Sequence, residues 1–166
     1  MATLLAFPIL GILLVLQSAI LSQIPLLQGT TDLVLLAVVA WSLQRRVRTA
    51  WQWGIIGGLL VGFVSAVPFV VYVVGYLLAV GFSLLLRQRI WQVPLLAMFI
   101  ATFFGTLVIH LATLVALRVS GTVLPLGDSI NLIILPSILL NLLLALPFFT
   151  LFSDLAKFLY PEELEM

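Results

Sequence analysis

Six long apolar stretches alternate with brief polar breaks along the chain. The first runs from Leu4 to Ile24 and stops at Pro25. A polar link, Gln28-Gly29-Thr30-Thr31-Asp32, follows, and Asp32 or a preceding Thr suits the N-cap of the next helix. The second stretch is short and ends in Arg45-Arg46-Val47-Arg48; the third begins at Trp51 and is interrupted at Pro68. The fourth closes on Arg87-Gln88-Arg89, and the fifth opens near Pro94, a residue favoured in a first helical turn. A loop from Ser120 to Ser129, with Gly121, Pro125 and Gly127, leads into the sixth, which fades into Lys157 and an acidic tail of Glu162, Glu163 and Glu165. These breaks predict helices over 4–24, 32–44, 51–66, 69–86, 94–118 and 130–155, all in one domain spanning 1–166.

Composition turns these helices into membrane spans. The chain has 166 residues, 64% hydrophobic and 8% charged, with a mean hydropathy of +1.34. Soluble domains carry about 25% charged residues, and a globule this apolar would expose aggregating patches. Disorder needs the opposite composition. A spanning helix uses about 20 residues, so six use about 120 and leave about 46 for connections, too few for a catalytic domain outside the bilayer. The N-terminal stretch has no Lys or Arg ahead of it, which reads as a retained span rather than a cleaved signal.

Charge then sets orientation. With both termini cytoplasmic, Arg45, Arg46, Arg48, Arg87, Arg89 and Lys157 fall inside and only Arg118 outside, the bias of a cytoplasmic face. Merging the third and fourth stretches would split the arginines between the two sides, so six spans are favoured. Trp41, Trp51, Trp53 and Trp91 flank the arginine turns and suit an aromatic belt at the inner interface. A net charge of +1 leaves no nucleic-acid footprint, and with no Cys there is no thiol chemistry.

The chemistry-bearing residues are few. No carboxylate lies in the middle of a predicted span, and the single His precludes a His-Glu-x-x-His zinc site or a bis-histidine haem. These absences argue against an enzyme, a cofactor or a metal, and buried ionisable groups for ion-coupled transport are lacking too. His110 shares a helix face with Thr102, Thr106 and Thr113: either a ligand-contacting patch or a polar face turned from lipid. Gly54, Gly58, Gly62 and Ala66 recur every four residues, answered by Gly75, Ala79 and Ser83 on the fourth stretch. Small residues at this spacing let helices approach closely, within the chain or against a partner's helix; the partner face is expected at Gly54, Gly58, Gly62, Gly75 and Ala79. Pro136 and Pro147 should bend the sixth helix. Ser137 with Asn141 there, and Gln17, Ser18, Ser22 and Gln23 on the first, are placed either to bond neighbouring helices or to line a small-molecule site. The arginine turns set topology and are also expected to contact anionic lipid or a cytoplasmic partner.

Three stretches stand out together: Leu16-Gln17-Ser18 with Asp32-Leu33-Val34-Leu35-Leu36; Trp53-Gly54 through Gly57-Gly58-Leu59-Leu60 with Gly75-Tyr76-Leu77; and Asn141-Leu142-Leu143-Leu144-Ala145-Leu146-Pro147-Phe148. In this order they resemble the MreD family of bacterial rod-shape membrane proteins. Thr31 stands where that family usually has Pro, and no acid follows Gly58-Leu59-Leu60. The resemblance implies a non-enzymatic scaffold in the cytoplasmic membrane. It would bind MreC, with a possible homodimer inside a larger complex, and link MreB filaments to RodA and its transpeptidase. That family is itself similar to the six-helix substrate-binding S subunits of energy-coupling-factor vitamin transporters, which supply the alternative function.

Overall fold

The computed structural model describes residues 2–21, 29–90, 92–122 and 125–161, and all regular structure among them is helical. Ser22, Gln23, Trp91 and the acidic tail lie outside the described residues. Each apolar stretch folds as one helix: α1 (Ala2–Leu21), α2 (Leu33–Ser42), α3 (Ala50–Val64), α4 (Phe69–Arg89), α5 (Pro94–Val119) and α6 (Leu126–Leu159). By length and composition α4, α5 and α6 can each cross a membrane, whereas α1, α2 and α3 offer shorter apolar segments. This is the fold of an all-helical membrane protein.

The shortest helix is the centre. α2 has 10 residues, all of them buried, and α1, α3, α4, α5 and α6 all pack on it. At 1.5 Å per residue it is about 15 Å long, half of a hydrocarbon core of about 30 Å. Its sequence, Leu-Val-Leu-Leu-Ala-Val-Val-Ala-Trp-Ser, shows no polar face because it has no outer face. The surrounding helices instead turn apolar side chains outward, as in Leu139 (68% exposed) and Leu143 (72%) of α6.

The small-residue ladder is taken up inside the chain. A Cβ on Gly58 would stand 2.7 Å from Val73 Cα, and one on Gly62 2.8 Å from Phe69 Cα, so α3 and α4 meet backbone to backbone. Gly54 faces Val80, Gly75 faces Ile109, and Ala79 faces Gly105 of α5. The expectation of a partner-docking face on Gly54, Gly58, Gly62, Gly75 and Ala79 is therefore corrected: α4 and α5 of the same chain cover it.

Two tryptophans correct the aromatic belt as well. Trp41 and Trp53 are fully buried, stacked with ring centroids 4.6 Å apart, and Phe152 meets both edge-on. Trp41 Nε1 donates to Thr49 Oγ1 at 3.2 Å, which meets the polar need of a buried indole. Trp51 alone of the described tryptophans stands out from the surface, 47% exposed.

In α6 the turn Ser129–Ile134 is widened to π-helical geometry just before Pro136. Proline lacks the amide that would bond four residues back, and a widened turn is a common accommodation in a bent helix. Pro147, by contrast, sits within the regular helix.

Candidate functional site

Helix α2 begins inside the protein, and its exposed-amide problem organises one end of the bundle. The first four N–H groups of any helix lack partners within it. Here Asp32 is the N-cap, its Oδ1 accepting from Leu35 N at 2.9 Å. The same oxygen accepts from Tyr76 Oη of α4 at 2.7 Å. The backbone around the cap is held by side chains of two further helices, α1 and α6. Leu33 N donates to Gln17 Oε1 of α1 at 2.9 Å. Asp32 N donates to Asn141 Oδ1 of α6 at 2.9 Å, and Thr30 N donates to Ser137 Oγ at 2.9 Å. Asn141 Nδ2 in turn donates to Thr106 Oγ1 of α5 at 3.0 Å.

Gly29 allows this close approach. A Cβ there would fall 2.5 Å from Pro136 Cβ and 2.9 Å from Ser137 N. The link before α2 thus lies directly on the kinked segment of α6, and the bend and the glycine are complementary.

Beside the network lies a cavity of about 210 Å³ lined by Gln17, Thr30, Thr31, Asp32, Tyr72, His110, Thr113 and Ser129, with Val61, Ile109, Leu114, Ile133 and Ile134 supplying apolar wall. His110 is half-buried, and its Nδ1 lies 2.8 Å from the Thr106 carbonyl oxygen. A carbonyl can only accept, so Nδ1 carries the hydrogen. The Oγ1 atoms of Thr102 and Thr113 have no hydrogen-bond partner among the described residues. Chemically the lining offers one carboxylate, one imidazole and several hydroxyls. Among the described residues no group of three His, Asp or Glu is placed to hold a metal ion.

The other end of α2 meets a cation. Arg87 Nη1 of α4 donates to the carbonyl oxygens of Ser42 (3.3 Å), Gln44 (2.8 Å) and Val47 (3.1 Å). Positive charge belongs at a helix C-terminus, where carbonyls lack partners. Arg87, expected to face outward to lipid or a partner, is half-buried and closes α2 instead. Arg46 Nη1 donates to the Tyr160 carbonyl at 2.8 Å, tying the turn between α2 and α3 to the end of α6. Arg48 and Arg89 are exposed.

Of the residues singled out in the sequence, Gln17, Asn141 and Thr106 converge in one network and His110 joins its border. Ser18 does not, since its hydroxyl bonds back to Leu14 O in its own helix. Tyr76 stands in the sequence analysis only as part of Gly75-Tyr76-Leu77; its bond to Asp32 goes unread there, because a tyrosine amid valines and leucines carries no periodic mark of polar contact. No protein-family model, curated protein or solved structure matches the chain.

Proposed function

We propose that the chain is a non-enzymatic, multi-pass scaffold of the MreD type in the bacterial cytoplasmic membrane, with six spans and both termini inside. It would bind MreC and couple MreB filaments to RodA and its transpeptidase. One observation carries the reading. Gln17, Asp32, Tyr76 and Asn141, drawn from the three stretches that resemble MreD, meet in a single hydrogen-bonded knot. Residues recurring in a family's motifs for architectural reasons should meet in this way, and their polar atoms are spent on one another and on backbone. With α3 and α4 packed on each other, a partner helix would engage outward side chains rather than the glycine ladder. In lipid such recognition rests on close packing and a few interhelical hydrogen bonds.

A second reading, a substrate-binding S subunit of an energy-coupling-factor transporter with that six-helix fold, is favoured by the cavity beside Asp32 and His110. Thr113 there holds a hydroxyl able to serve a bound molecule.

Purification of the tagged chain from its source organism in mild detergent, with mass spectrometry of what accompanies it, tests both. MreC, with or without RodA, is the expected companion. Recovery of paired ATPases with a membrane coupling subunit would overturn the scaffold in favour of the S subunit.

A further inference from the structure

A larger cavity of about 660 Å³ opens at the opposite end of the bundle, where the polar turns after α2 and α4 approach the end of α6. Its mouth is basic: Arg45, Arg46 and Lys157 are exposed there, and Arg87 stands at its wall. The acid nearest in sequence, Asp154, pairs with Lys157 at 3.0 Å on an exposed face. Deeper in, Leu43, Ile90, Ala97, Phe149 and Ala156 form apolar wall. Two of the arginines are held in place by backbone, Arg46 through Tyr160 O and Arg87 through the Ser42 carbonyl at the end of α2 and those of Gln44 and Val47 in the turn beyond it. The volume lies within the range of about 300–1,000 Å³ usual for small-molecule sites.

We propose that this cavity binds the phosphate head group and proximal chains of an anionic phospholipid. Phosphate suits fixed guanidinium groups, which match its oxygens in a planar fork. Apolar walls behind a cationic mouth suit a molecule whose anion is attached to hydrocarbon, which free phosphate is not. Such a site differs from the diffuse attraction of a basic turn for a charged leaflet, because it should saturate at one lipid per chain. It is independent of the scaffold reading, since a transporter subunit of this structure would carry it equally.

Native mass spectrometry of the detergent-purified full chain tests it, with titrations of dioleoylphosphatidylglycerol, dioleoylphosphatidylcholine and sodium phosphate. A single phosphatidylglycerol adduct is expected at a concentration at least about tenfold below that needed for phosphatidylcholine. The triple variant R45Q/R46Q/K157Q should raise the phosphatidylglycerol requirement about tenfold or more. Ser153→Trp, which narrows the cavity and leaves every charge, should do the same, whereas Arg118→Gln at the other end of α5 should not. Ser153→Trp alone decides the matter if the triple variant fails to purify as a folded species. Equal adducts of the two lipids, or wild-type phosphatidylglycerol binding by folded variants, would overturn the proposal. Displacement of phosphatidylglycerol by millimolar phosphate with Ser153→Trp inert would reassign the cavity to a free anion and overturn the lipid.

Discussion

The two ends of α2 face the same physical problem and meet it differently. At its N-terminus, side chains from α1, α4 and α6 converge on the cap, within hydrogen-bond distance of one another and of the backbone. At its C-terminus, one guanidinium serves three carbonyls beside a cavity three times larger than the one near Asp32. The first arrangement is closed and many-bodied, so its members depend on each other. The second concentrates the work in Arg87 and leaves neighbouring cations at an open mouth. Stability should therefore be sensitive at the Asp32 end and binding sensitive at the arginine end.

Substitutions can break that contrast, and the largest effect is expected at the cap. Asp32→Ala removes an N-cap worth about 0.5–2 kcal/mol and strands the buried Tyr76 hydroxyl at a further cost of about 1–3 kcal/mol. A loss near 3 kcal/mol should appear as a large fall in the thermal midpoint in detergent, followed by intrinsic tryptophan fluorescence; an unchanged midpoint would mean that the network is not what holds α2. Gly58→Leu pushes α3 from α4 and should cost about 1–3 kcal/mol, read in the same assay. A wild-type midpoint with loss of partner recovery would instead restore the glycine ladder as a docking face. Asn141→Leu should cost about 1 kcal/mol, because interhelical hydrogen bonds in membranes are individually modest. Arg45→Gln and Lys157→Gln complete the series: each should shift stability by less than about 0.5 kcal/mol. A large destabilisation from either would erase the distinction between the two ends.

Much of this architecture is legible from apolar runs and their breaks, since a helix that must bury or expose hydrocarbon declares itself over many residues. Asp32 was readable as a cap, because Asp before an apolar run supplies the acceptor that free amides need. Ser137 and Asn141, four apart on α6, were readable as a polar face. Their partners were not: Thr30 and Asp32 lie 107 and 109 residues away, and no local pattern encodes such a meeting. Arg87 failed for a related reason, since an arginine in a last turn looks alike whether it reaches for lipid or for another helix's carbonyls. Trp41 and Trp53 likewise sit beside charged turns in sequence but stack inward in space.

The burial of α2 has a consequence for how the protein is made. A helix of about 15 Å cannot bridge the bilayer by itself, and the groups that receive the Thr30 and Asp32 amides of the link leading into it sit on α6, 107 and 109 residues further along the chain. Until α6 arrives, Thr30 and Asp32 have backbone amides without their eventual acceptors. Assembly is thus gated by the emergence of α6, with an early polar link waiting on a segment made more than 100 residues later. A chain interrupted before α6 should be held by the insertion and quality-control machinery rather than released as a stable five-helix intermediate.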